Sequence, residues 1–254
     1  MGAFPPGKND PALVGQVLLN LMRSHSNIYH SLKSMPNGSK VEIGLVKNIF
    51  QFDPLHGWNP IHRTMCKVME GVYNESVIGF MKTGIFELRI PTMVKIREEI
   101  APGETLSDFV GLNYYSNLLI KLLMDASDPQ ALRIRDGQIR TDFGYATYPE
   151  GFYRALMQIS ELGLPIYVTE NGIPDERDDR RADWIRRYGY AMWKAMQDGA
   201  DVRGFHYWSL LDNFEWAEGY TMRFGLYAVD FETQERTLRP GALAIKELMT
   251  PPPA

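Results

Sequence analysis

Four short apolar runs, separated for the most part by stretches of helical spacing, predict an α/β fold built on a parallel sheet. The runs are VEIGLV with its end at Asn48, DFVGLNYY (108–115), LPIYVTEN (164–171) and VRGFHYWS (202–209). Each closes on polar or aromatic residues. Parallel neighbours require long crossover connections, and the helical stretches between the last three runs supply them.

The elements follow in order along the chain. Val14, Leu18, Leu21, Ile28 and Leu32 recur at near-helical spacing and predict an amphipathic helix over about residues 9–33, opened by Asp10 and Pro11. Pro36, Asn37 and Gly38 turn the chain into a first strand near 42–48, rich in β-branched residues. Residues 49–107 read as an extended loop. Strands near 109–114, 165–170 and 204–208 alternate with helices whose apolar stripes are Phe152, Leu156 and Ile159, then Trp184, Tyr188, Met192 and Ala195. Residues 210–240 read as a second extended loop, and the TPPPA tail is expected to fray. Residues 1–254 are expected to form a single domain. A complete (β/α)8 barrel takes ~250 residues, yet four strands are counted here. Four parallel strands fit half of such a barrel or a small doubly wound domain, and periodicity alone leaves both open.

Composition narrows the functional classes. With 27 Lys and Arg against 31 Asp and Glu, scattered along the chain, there is no basic field for a phosphate backbone, so no nucleic-acid partner is expected. Cys66 is the sole cysteine, which rules out an internal disulfide and favours a reducing compartment. The opening MGAFPPGKND lacks the basic and apolar regions of a signal peptide, and no apolar run approaches the ~20 residues of a membrane span; a cytoplasmic location without membrane contact is expected. His25, His30, His56, His62 and His206 form no HExxH pair and no Cys/His cluster, and no glycine-rich phosphate loop occurs. No metal or cofactor is expected.

Glu170 ends the run PIYVTE, which puts its carboxylate at the C-terminal mouth of a parallel sheet, where catalytic groups are placed. Asn113 and Tyr115 end the preceding strand, Trp208 ends the next, and Glu215 with Trp216 follows in the loop. Carboxylates and carboxamides bind vicinal hydroxyls, and indole faces cover the apolar C–H surface of a pyranose. The set therefore suits a small sugar.

YVTENG (167–172), DFVGLNYY, TDFGYATYPEGFY (141–153) and DVRGFHYWSLLDNFEWAEGYTMRFGL (201–226) together resemble the family 1 glycoside hydrolases, the β-glucosidase family. The likeness runs from GAFPPGK, similar to the loop after that family's fourth strand, to RPGA (239–242), and is weakest over 49–100. It implies a (β/α)8 TIM-barrel fold of which this chain holds about four β/α units, strands five to eight, as a half barrel with long βα loops. It further implies a retaining β-glycosidase with Glu170 as nucleophile, Tyr115 orienting it, and Asn113 facing the hydroxyl beside the anomeric carbon. Trp208 would floor the sugar site, Glu215 would hold two hydroxyls, Trp216 would add a contact and Phe224 would close the pocket edge. The DNFEW form resembles members acting on unphosphorylated sugars. His206 matches no catalytic position and is expected to pack beside the site or to support a residue that lines it.

The family's acid/base glutamate lies in a TFNEP-like motif that does not occur here. Glu42 sits at the wrong end of its strand and Glu218 belongs to the rim, so neither replaces it. The chain alone is expected to be inactive or to need a partner half. Its open edges predict association with an N-terminal half-barrel chain or with a second copy. The alternative is a non-catalytic carbohydrate-binding or structural half-barrel module.

Overall fold

The computed structural model describes residues 7–121 and 134–249. Most of the GAFPPGK stretch and the TPPPA tail lie outside these residues. The first helix, α1 (Pro11–Ser34), starts where Asp10 accepts hydrogen bonds from Ala12 N (2.9 Å) and Leu13 N (3.3 Å), with Pro11 at its first position. Gly15, Leu19, Met22 and Ser26 form its buried face.

The first strand, β1 (Gly44–Pro54), runs well beyond the expected end at Asn48. An irregularity between Ile49 and Gln51 shifts its register and leaves Gln51 and Phe52 both buried, which breaks the alternation that marks a strand in sequence. Residues 49–107 are likewise not a loop. After β1 come α2 (Pro60–Glu70), a π turn at Gly71–Glu75, α3 (Ser76–Thr83), and an antiparallel hairpin of β2 (Ile85–Ile90) and β3 (Val94–Glu99). The stretch carried readable signals: Asn59 accepts from Ile61 N (2.9 Å) ahead of Pro60, and Gly84 ends α3 in the left-handed region, where a Cβ would strike the Ala101 carbonyl. The elements are short, and the turn residues among them read as continuous loop.

β4 (Phe109–Ile120) likewise runs beyond its expected end near 114, pairing with the extension of β1, while α4 (Pro149–Ser160), β5 (Ile166–Asn171), α5 (Arg181–Gln197) and β6 (Val202–Tyr207) fall close to expectation. The expected loop 210–240 holds a short turn at Trp216–Glu218 and a two-stranded ribbon of β7 (Tyr227–Val229) and β8 (Arg236–Leu238), followed by α6 (Ala244–Met249).

β1, β4, β5 and β6 form one sheet in the order β1-β4-β5-β6, every pair parallel. Val110, Leu112, Tyr114, Ile166 and Val168 are buried in one core with Phe152, Leu156 and Ile159 of α4 and Trp184 and Tyr188 of α5. The opposite face carries Gly44, Gly111 and Gly204, where an added Cβ would meet Phe109, then Val46 and Thr169, then Tyr167. Val46 on this face is 52% exposed and His206 is also exposed. A doubly wound sheet carries helices on both faces, so this open face favours the half barrel of the two readings.

Candidate functional site

The parallel strands bring their C-terminal ends to one mouth. A register shift between Leu112 and Asn113 sets Asn113 opposite Glu170 rather than Thr169, and on its other side Asn113 stands opposite Asn48. The row Asn48, Asn113, Glu170 therefore crosses three strands at one level.

Glu170 accepts a hydrogen bond from the Tyr115 hydroxyl at 2.9 Å. Burial, then the charge of Glu170, raises the Tyr115 pKa, so the phenol stays protonated and donates. Its ring is held edge-on between Tyr145 and Phe224, each 6.2 Å away between centroids. Phe224 is buried and backs Tyr115. Asn113 is fixed by Thr169 Oγ1, which donates to its Oδ1 at 2.6 Å.

Trp208 follows β6, and its backbone N donates to Asn171 O at 3.0 Å. This approach requires Gly172, because a methyl group there would run into the Trp208 carbonyl. The Trp208 Nε1 donates to Glu215 Oε1 at 3.0 Å, tying the indole to the loop carboxylate. Burial raises the Glu215 pKa; the Trp208 hydrogen bond opposes this, and the charge of Glu170 adds to it. Glu215 thus senses the charge of Glu170 across the mouth.

Of the expected site residues, Asn113, Tyr115, Glu170, Trp208, Glu215 and Phe224 are linked through these contacts. Trp216 is not drawn in; it is 74% exposed on the rim, with φ of 45°. His206 does not pack as expected: it is exposed on the open face, its Nδ1 3.0 Å from Val168 O.

Four further residues support the site and were not read from sequence. Tyr145 flanks Tyr115, and its hydroxyl donates to Gly172 O at 3.4 Å. Asn48 ends in a buried Oδ1 without a partner; a polar residue closing an apolar run was the available signal, as for Asn113. Arg181 is buried at the start of α5 and donates to Ile173 O (3.0 Å), the Tyr207 hydroxyl (2.7 Å) and Phe224 O (2.9 Å), joining the loops after β5 and β6. Asp212 binds Arg239 through both oxygens, at 3.0 and 2.9 Å, and accepts from Gly225 N and Val229 N. That pair anchors both ends of the segment bearing Glu215 and Phe224.

Among the described residues no group of three His, Cys, Asp or Glu is arranged to hold a metal ion. No described helix is long and apolar enough to cross a membrane.

The family model described as Glycosyl hydrolase family 1 matches residues 1–251. The chain belongs to glycosyl hydrolase family 1. It is 33% identical over 262 residues to β-glucosidase A of Thermotoga maritima, covering 94% of this chain and 56% of that protein. It is 31% identical to a β-galactosidase of Saccharolobus solfataricus, covering 97% of this chain and 50% of that one. Among solved structures, a β-glycosidase from Pyrococcus horikoshii superposes with a TM-score of 0.81 at 28% identity, over 98% of this chain and 60% of that chain. The Thermotoga maritima β-glucosidase in complex with castanospermine superposes with a TM-score of 0.75 at 28% identity, over 98% of this chain and 59% of that chain. The chain thus spans little more than half the length of these family members.

Proposed function

We propose that this chain carries the nucleophile side of a retaining β-glycosidase acting on β-glucosides or related small sugars, with residues 1–254 as one half-barrel domain. The observation that carries the reading is the 2.9 Å hydrogen bond from the Tyr115 hydroxyl to the Glu170 carboxylate at the mouth of a parallel sheet. A phenol that donates to one carboxylate oxygen orients the other toward a substrate carbon. Pure sugar binding needs no such oriented acid, which disfavours a binding-only module.

In this reading Glu170 attacks the anomeric carbon as the bond to the leaving oxygen breaks, forming a glycosyl ester that water later cleaves. Asn113, its amide oxygen held by Thr169, presents its NH2 group to the neighbouring hydroxyl. Trp208 supplies the apolar floor, and Glu215, steadied by the indole N–H, accepts from hydroxyls on the far side of the ring; Trp216 would close over the sugar from the rim. Retention requires a second carboxyl ~5 Å from the first to protonate the leaving oxygen. No carboxylate of this chain is assigned that task, so it falls to the N-terminal half of the barrel. Buried, unpaired Cys66 is consistent with action in the cytoplasm.

The test is a 2,4-dinitrophenyl 2-deoxy-2-fluoro-β-glucoside, whose leaving group departs without protonation and whose fluorine slows hydrolysis of the ester. Long incubation should add one fluoroglucosyl mass to the peptide containing YVTENG, and Glu170→Gln should abolish the addition. Labelling at another carboxylate, or equal labelling of the Glu170→Gln variant, overturns the nucleophile assignment, and no labelling at all overturns the catalytic reading in favour of a binding or structural module.

A further inference from the structure

β1 and β4 continue side by side beyond the mouth, pairing to Pro54 and Ile120. At ~3.3 Å per residue, the end of β1 stands roughly 20 Å past the row of Asn48 and Glu170. The loop from this overhang into α2 carries Trp58, 78% exposed.

This indole is held in place. Its ring stacks on His56 with centroids 5.8 Å apart and planes 17° off parallel, and His56 stacks in turn on His62 at 5.5 Å and 23°. His62 is buried in the first turn of α2, and its Nδ1 accepts from the His56 backbone N at 3.3 Å. Three rings thus form a column rooted in the fold and capped by tryptophan. Gly57 beside it has nothing within 4 Å of a Cβ position, so no side chain walls off the column there. Arg135, exposed, donates to Pro54 O at 3.3 Å and brings a guanidinium to the base of the loop.

A buried tryptophan serves packing, but one backed by a ring stack and facing water presents a rigid apolar plate at small entropic cost. The ligand that fits a flat plate with a nearby hydrogen-bond donor, on the side of the sheet where sugar chemistry is proposed, is a pyranose ring with its C–H face on the indole. We propose that Trp58, stacked on His56, is an outer saccharide platform that holds the distal units of a β-linked oligosaccharide whose other end reaches the mouth at Glu170. The platform rests on the glycosidase reading for its substrate class and selects for chain length. The strand end from which its loop departs stands roughly 20 Å beyond the row of Glu170.

Incorporation of 5-fluorotryptophan gives one 19F resonance for each of the five tryptophans, assigned by single Trp→Phe variants. Cellohexaose should shift the Trp58 resonance. Trp58→Ala should weaken cellohexaose binding about tenfold, the loss of one aromatic stacking contact, while leaving the melting temperature and the affinity for castanospermine unchanged. A Trp58 resonance unmoved by cellohexaose, or equal cellohexaose affinity in Trp58→Ala, overturns the platform. Castanospermine is read separately through the Trp208 resonance; if it fails to move that signal, the inner site is wrong, whatever Trp58 does.

Discussion

Asp212→Asn probes the anchor of the loop that bears Glu215 and Phe224. The Asp212 side chain is 1% exposed and neutralises Arg239, itself 9% exposed, while accepting from Gly225 N at 2.8 Å and Val229 N at 3.3 Å. Asparagine keeps one acceptor oxygen but removes the charge and turns the other terminus into a donor facing two N–H groups and a guanidinium. Arg239 is left buried with Gly225 O as its remaining close partner, at 2.7 Å. Removing one member of a buried pair costs about 3–5 kcal/mol, chiefly because the survivor stays charged and unpaired. A loss of about 3 kcal/mol is therefore expected from urea unfolding monitored by tryptophan fluorescence at constant slope. The double variant Asp212→Leu/Arg239→Met removes both charges and should recover part of the loss. Hydrogen exchange at Gly225 and Val229 should accelerate in the single variant more than exchange at Leu112 in the sheet. A loss below about 1 kcal/mol, or a double variant no better than the single one, would show that the pair does not anchor this loop.

Three further outcomes are expected. Burial brings the Lys47 ammonium down to about 8 from an ordinary 10.5, against partial support from Glu70. Between those values the unfolded chain binds more protons than the native one, so the Lys47 contribution makes stability rise with pH from about 8 to 10.5, by about 3 kcal/mol at most; urea midpoints of wild type and Lys47→Met at pH 7 and pH 10 should show that rise shrinking in the variant. Tyr115→Phe should slow labelling of Glu170 by about 10²-fold through loss of orientation, with a change in unfolding free energy under about 1.5 kcal/mol; unchanged labelling would refute the orienting role. Gly172→Ala should displace Trp208, whose carbonyl occupies the space a methyl would need, and should weaken castanospermine binding in calorimetry more than Asn171→Ser does.

The sequence by itself determined the alternation of the sheet and the apolar runs that Asn113, Glu170 and Trp208 close, because buried parallel strands read as apolar runs and parallel order sends every C-terminus to one side. Motif likeness carried the roles proposed for Tyr115, Glu215 and Phe224. What only the tertiary structure decided were contacts between residues distant in sequence. The shift that pairs Asn113 with Glu170 arises where two strands meet, the Arg239 that holds Asp212 lies on the far side of a ribbon, and the long β1 hides behind a bulge that buries Gln51 beside Phe52. Periodicity reports one element's exposure to its surroundings, whereas register, burial of charge and the stacking of His62, His56 and Trp58 depend on which surfaces are brought together. For the same reason Trp216, although it adjoins Glu215 in sequence, stands out on the rim: adjacency fixes a residue's place on the chain, and packing fixes which way it turns.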